Sequence, residues 1–145
     1  MSFGRPTPPM IGWLQRALLH EFAAARQFTL QSVVAHRLGD AGLATECNKS
    51  AAEELQHAQM FATALVEFGA SFGTGAPDVL PVGGSLLEIL QHGLNTEAKA
   101  VRLYGEAARA CAAVPRVRDL FSEIGADEAQ HQAHLAKLIG GRKAA

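Results

Sequence analysis

Four glutamates interrupt what would otherwise be four unbroken apolar helix seams. In the first stretch, residues spaced three and four apart read Leu14, Leu18, Glu21, Ala25, Phe28. The second reads Cys47, Ala51, Glu54, Ala58, Phe61, Leu65, and the third Leu90, Leu94, Glu97, Val101, Tyr104, Ala108. The fourth reads Val117, Phe121, Ile124, Glu128, His131, Leu135, Leu138. That spacing lines one buried helix face. A carboxylate buried there without a partner costs several kcal/mol, and facing carboxylates add repulsion. No lysine or arginine shares these seams. The chain must therefore keep its central acids protonated or close around cations, and two divalent ions would balance four carboxylates.

Two of the four acids belong to a wider motif. Glu54-Leu55-Gln56-His57 and Glu128-Ala129-Gln130-His131 both read Glu-x-x-His. Three residues apart on a helix, the two side chains reach the same side, so one can bridge two metals while the other caps one of them. The pattern also repeats. Glu21 precedes Glu54 by 33 residues, and Glu97 precedes Glu128 by 31. One Glu-x-x-His alone is a weak signal, because helices are full of glutamate. Two, each preceded by a seam glutamate at nearly the same distance, point to a metal pair held by Glu21, Glu54, His57, Glu97, Glu128 and His131. Mixed carboxylate and imidazole donors suit iron or manganese.

The periodicity predicts an all-α fold with helices over residues 11–38, 42–68, 85–113 and 115 to about 140. An extended proline-rich arm is expected at 1–10 and a short tail at 141–145. Ser85 and Glu88 read as a capping box, and Pro115 fits a first helical turn. Gly140 and Gly141 read as a helix stop. Residues 70–84 carry glycines and two prolines and show no helical period. A structureless loop of that length is unusual, but it can run the length of a bundle and reset the chain direction. The expected architecture is a four-helix bundle of antiparallel pairs joined by one long crossover.

At 145 residues the chain fits one domain. Its formal net charge of −1 argues against nucleic-acid binding. It has no apolar run long enough for a membrane span and no signal core, so the cytoplasm is the expected location. Cys47 and Cys111 form no Cys-x-x-Cys pair, which excludes a rubredoxin or zinc-knuckle centre. His20, His36, His92 and His134 read as solvated helix histidines. Asp127 reads as a surface charge, with a bond to a ligand histidine as the alternative. Tyr104 is the only tyrosine. It reads as a core aromatic whose hydroxyl bonds a metal ligand, with electron donation to the centre as the second reading.

At these residues the sequence resembles bacterioferritin, within the ferritin-like superfamily, over roughly residues 14–139. A glutamate and a Glu-x-x-His in each half is the donor pattern of di-iron bundle proteins. The resemblance implies that Glu54 and Glu128 bridge two iron ions, with Glu21 and His57 capping one and Glu97 and His131 the other. It implies ferroxidase chemistry on Fe2+ with O2 or H2O2, and a homo-oligomer of at least two chains. Three features depart from the family. Leu55 stands where a haem-ligating methionine follows the second-helix glutamate, so no haem is expected. Lys49 replaces an inner-surface histidine, and the short fifth helix has no counterpart. A rubrerythrin-like peroxide reductase, a di-iron oxidase of an organic substrate and a non-catalytic metal-holding protein are the competing expectations.

Overall fold

Four helices account for most of residues 7–144, the residues that the computed structural model describes, with side chains described as far as Arg142. They are α1 (Pro8–Arg37), α2 (Ala41–Glu67), α3 (Leu86–Ala110) and α4 (Pro115–Ala144). No strand occurs among the described residues. The fold is the expected all-α bundle: α1 packs along α2, and α3 along α4. α1 also meets α3 and, more sparsely, α2 meets α4.

Each of the first three helices begins on a side-chain cap. Thr7 Oγ1 accepts from Met10 N at 3.4 Å, with Pro8 and Pro9 opening the first turn of α1. The arm expected to stay extended through residue 10 is therefore already helical from Pro8. Proline is suited to a first turn because its φ is pre-set and no hydrogen bond is lost there. The rest of that arm, residues 1–6, lies outside the described residues. Asp40 Oδ1 caps α2 by accepting from Leu43 N at 2.9 Å. Ser85 Oγ caps α3 by accepting from Glu88 N at 3.1 Å. The return bond of the capping box goes one residue further out, where Glu88 Oε2 accepts from Gly84 N at 2.8 Å.

α1 and α2 end alike, each on a glycine in the left-handed region. Gly39 has φ +88 and Gly69 has φ +66. Asp40 N donates to Ala35 O and Ala70 N to Leu65 O, the Schellman arrangement that satisfies the last carbonyls. α4 departs from expectation, because it runs through Gly140 and Gly141 to Ala144. Arg142 Nη2 donates to Asp40 Oδ2 at 2.8 Å, tying the last turn of α4 to the cap of α2. The Leu43 amide and then this guanidinium hold the Asp40 carboxyl below its usual range.

The crossover lies along α1, anchored by three glutamines of that helix. Gln15 Nε2 donates to Ser71 O at 2.9 Å, Gln27 Nε2 to Pro81 O at 2.8 Å and Gln31 Nε2 to Val82 O at 3.0 Å. Gln27 and Gln31 are fully buried, so each needs its partners. Gln27 Oε1 accepts from Thr96 Oγ1 at 2.7 Å, which locks α1 to α3.

The apolar core is divided. One block gathers Leu14, Leu18, Phe61, Leu65, Tyr104, Phe121 and Ile124. The other gathers Ala35, Leu43, Cys47, Ile89, Leu90 and Ile139 at the opposite end. The four seam glutamates form a polar layer between these blocks.

Candidate metal centre

All six candidate ligands meet in that layer. Glu21, Glu54, Glu97 and Glu128 are at most 1% exposed, although each comes from a different helix. Two groups of donors form, and within each the donor atoms lie within 4.8 Å of one another. The first is Glu21, Glu54, His57 and Glu128, and the second Glu54, Glu97, Glu128 and His131. Glu54 and Glu128 belong to both. That is the arrangement two adjacent ions need: two shared carboxylates between them, and one carboxylate with one imidazole outside each.

The electrostatics show how strongly the site is strained toward cations. Burial, and then the charges of Glu21, Glu97 and Glu128, push Glu54 well above the carboxylate range. Burial and then Glu128 do the same to Glu97. Burial also opposes a charge on His57, but Glu128 and Glu21 beside it outweigh that and raise it to about 10. Burial pushes Glu128 up, yet His57, Glu97 and Glu54 outweigh it and bring it down to about 2. His57 Nδ1 lies 3.0 Å from Glu128 Oε1, and both atoms lack hydrogen-bond alignment.

Each imidazole turns Nδ1 inward and gives Nε2 to a further carboxylate. His57 Nε2 lies 3.2 Å from Asp127 Oδ2, and His131 Nε2 lies 2.6 Å from Glu53 Oε2. These contacts favour the tautomer that would present Nδ1 to a metal, and they would make the ring a better donor. Asp127 is therefore more than the surface charge expected from sequence, and Glu53 is a functional candidate that sequence reading missed. A signal was present: an acid directly precedes both Glu-x-x-His motifs. Each acid serves the histidine of the opposite helix, because α2 and α4 run antiparallel.

Tyr104 is fully buried, and its hydroxyl donates to Glu21 Oε1 at 2.5 Å, across the bundle from its own helix. Burial and the Glu21 charge raise the phenol well above its usual range. Phe28, its counterpart seven residues beyond Glu21, brings no hydroxyl to Glu97. His20 corrects the expectation of a solvated side chain. It is 7% exposed and stands edge-on to Tyr104 with ring centroids 6.2 Å apart. Burial lowers its pKa and keeps it neutral. Residues of the crossover, Ala76, Asp78 and Leu80, wall in that face of α1. His134 stays exposed and pairs with Glu46 at 3.2 Å. Cys47 and Cys111 are both free and buried, and burial raises the Cys47 thiol to about 11, which makes it inert.

Residues 11–144 match the ferritin-like domain family. This chain is a ferritin-like protein. Its fold matches that of Rhodobacter capsulatus bacterioferritin, in a structure with a metal-free dinuclear site and a haem iron, with a TM-score of 0.89. The sequences are 25% identical, over 94% of this chain and 87% of the bacterioferritin. No curated protein matches the chain in sequence. In the ferritin-like chain Leu55 lies on the solvent face of α2, 48% exposed. No helix is long and apolar enough to cross a membrane among the described residues.

The donor set fits a pair of divalent ions. Glu21 Oε2, both oxygens of Glu54, Glu97 and Glu128, and Nδ1 of His57 and His131 are buried without hydrogen-bond partners. Native proteins seldom leave so many polar atoms unsatisfied in one place, and ions would satisfy all of them. A proton inventory follows. Ions entering the layer would displace protons held at Glu54, Glu97 and His57, so binding should release up to about three protons per chain. Calorimetry in buffers of different ionisation enthalpy measures this number, and a value near zero would contradict protonation of these three groups in the metal-free protein.

Proposed function

We propose that the chain binds two iron ions at these six residues and oxidises Fe2+ to Fe3+ with O2 or H2O2, in iron storage or detoxification. The observation that carries this reading is the pair of overlapping donor groups sharing Glu54 and Glu128. Each ion would have few protein ligands, which leaves room for the oxidant. Two Fe2+ lose one electron each. Dioxygen takes both, with two protons, and leaves as hydrogen peroxide; alternatively peroxide takes both with two protons and leaves as water.

The chain's own residues set the stage for that transfer. Glu54 and Glu128, common to both donor groups, would hold the two ions. Asp127 and Glu53 keep the imidazoles oriented. The apolar blocks on either side exclude bulk water and strengthen every charge interaction in the layer. The Tyr104 hydroxyl fixes Glu21 and lies within reach of the site as an electron donor.

The test is oxidation of Fe2+ added anaerobically and then mixed with air, followed by absorbance and by oxygen uptake. Wild-type protein is expected to form Fe3+ well above the rate in buffer, and Glu97→Ala to fall to the buffer rate. Full activity in Glu97→Ala would remove these residues from the chemistry. Binding without oxygen uptake would leave a structural metal site. A second reading, oxidation of an organic substrate, is favoured by a cavity of about 470 Å³ beside His131, with Phe28, Leu43, Leu90 and Leu135 in its wall. It differs in outcome, because such an enzyme would not turn over Fe2+ supplied in excess of its own two ions.

A further inference from the structure

Gln31 is a buried polar side chain that the metal centre leaves unexplained. It is fully buried on α1, and its amide nitrogen donates twice, to Val82 O at 3.0 Å and to Ile89 O at 3.2 Å. Those two bonds settle which end of the amide is the oxygen, because the flipped amide would set its oxygen against two carbonyls. Gln31 Oε1 is then an acceptor with no hydrogen-bond partner among the described residues. A buried polar atom of this kind calls for one. It lies where position 93 brings no side chain: a Cβ on Gly93 would stand 3.9 Å from Gln31 Oε1, 3.3 Å from Phe28 Cε1 and 3.4 Å from Leu135 Cδ1. Gln31 and Gly93 both line the cavity of about 470 Å³ beside His131. Its inner wall is otherwise mostly apolar, with Phe28, Leu43, Ile89 and Leu90 all buried. A lone water there would find Oε1 among carbon atoms, whereas an ordered water needs two or more polar partners.

We infer that this cavity binds a small neutral alcohol or phenol, its hydroxyl donating to Gln31 Oε1 and its apolar body packed between Phe28 and Leu90. The size fits, since a cavity of about 150 Å³ already holds one benzene, and this one has room for a ring with a short side chain. An apolar wall with one placed polar atom is the usual make-up of a small-molecule site. The chemistry of that atom selects the class. A carboxylate brings no donor to Oε1, and the rim sets Glu46 and Glu53 against a single lysine, Lys49. An ammonium would lose its hydration to gain one acceptor. A hydroxyl meets the acceptor and leaves the rest of the molecule to the apolar wall. His131 lines the same cavity, so the bound molecule lies beside the second donor group. Any oxidation of it rests on the second reading above; its seating does not depend on metal.

Calorimetric titration of the full-length chain with para-propylphenol, metal-free and again after loading with redox-inert Zn2+, tests this without any turnover. Saturable binding of one molecule per chain is expected, with a Kd on the order of 0.1 mM. Para-propylanisole keeps the shape but lacks the donor, and should bind about tenfold more weakly. Para-propylbenzoate should bind more weakly than the phenol as well, because its charge would have to be buried. Those comparisons leave the fold untouched. Gly93→Ala, whose methyl takes the space in front of Gln31 Oε1, should weaken the phenol at least about tenfold. Ser50→Phe, which fills the cavity from its half-buried place on α2, serves where Gly93→Ala folds poorly. The ranking of the three compounds should be the same with and without Zn2+. Absence of saturable binding would overturn the inference, as would an ether or a benzoate that binds as tightly as the phenol. Unchanged affinity in both cavity variants would also overturn it, and so would binding seen only with Zn2+, which would place the hydroxyl on the metal. Failure of the metal-free titration leaves the metal centre standing, and failure to bind or oxidise Fe2+ leaves this site standing.

Discussion

Glu54→Ala should remove both ions, taking metal content from about two per chain to near zero. Glu54 belongs to both donor groups, so its loss strips each half-site of a ligand. It also leaves Glu128 as the sole shared carboxylate, with His57 close by as a competing cation at 3.0 Å. Elemental analysis of wild type and variant purified side by side decides the matter. The folded state should survive, because alanine removes a buried carboxyl whose charge burial and three acidic neighbours disfavour. Retention of two ions in the variant would mean that they sit elsewhere. Far more iron than two per chain in wild type would reveal a mineral store.

The second large effect concerns stability, and its direction should reverse with metal. Without metal, Glu54 and Glu97 have folded-state pKa values above their ordinary 4.5. Such acids favour the folded state while protonated, and that advantage is lost as pH rises above the ordinary value. His57, raised from 6.5 to about 10, contributes stability that is full below 6.5 and lost as pH climbs toward 10. Glu128 works oppositely: lowered to about 2, it contributes above 4.5 and loses that contribution as pH falls. The metal-free protein should therefore be most stable near about pH 5 and weaken toward pH 8. With metal the profile inverts, because protons compete with ions for the same atoms. At neutral pH and a hundredfold excess over Kd, each ion adds about 2.7 kcal/mol. Two ions raise the melting temperature by roughly 10–20 °C for a chain of this size. Thermal melts with and without Co2+ from pH 5 to 8 should show curves that converge on the acid side. Parallel curves would contradict the assignment of the protons.

The seam glutamates and the fold were legible in sequence for the same reason. A helix that must bury one face repeats its apolar residues every three or four positions, and one acid in that row stands out against them. The two Glu-x-x-His motifs and their near-equal spacing then singled out the six residues that the structure brings together. What escaped the sequence depends on relations between helices. Glu53 and Asp127 adjoin ligands in sequence but serve the histidine of the opposite helix, a pairing defined only once α2 and α4 lie antiparallel. His20 neighbours Glu21 and read as solvated because nothing local shows that the crossover returns over that face. Gly140 and Gly141 read as a stop because the Arg142–Asp40 bond that ties the last turn of α4 joins residues 102 apart in the chain. The cavity beside His131 is a gap that Gly93 helps to leave, and a gap has no residue pattern of its own.

Neither helical hairpin owns a complete half-site. The first half-site takes Glu21, Glu54 and His57 from α1 and α2 but Glu128 from α4, and the second takes Glu54 from α2. The crossover is the only covalent link between the hairpins, and it is held to α1 by side-chain bonds at Ser71, Pro81 and Val82. A chain nicked between Gly73 and Gly75 would accordingly become two fragments whose reunion is reported, and driven, by divalent metal.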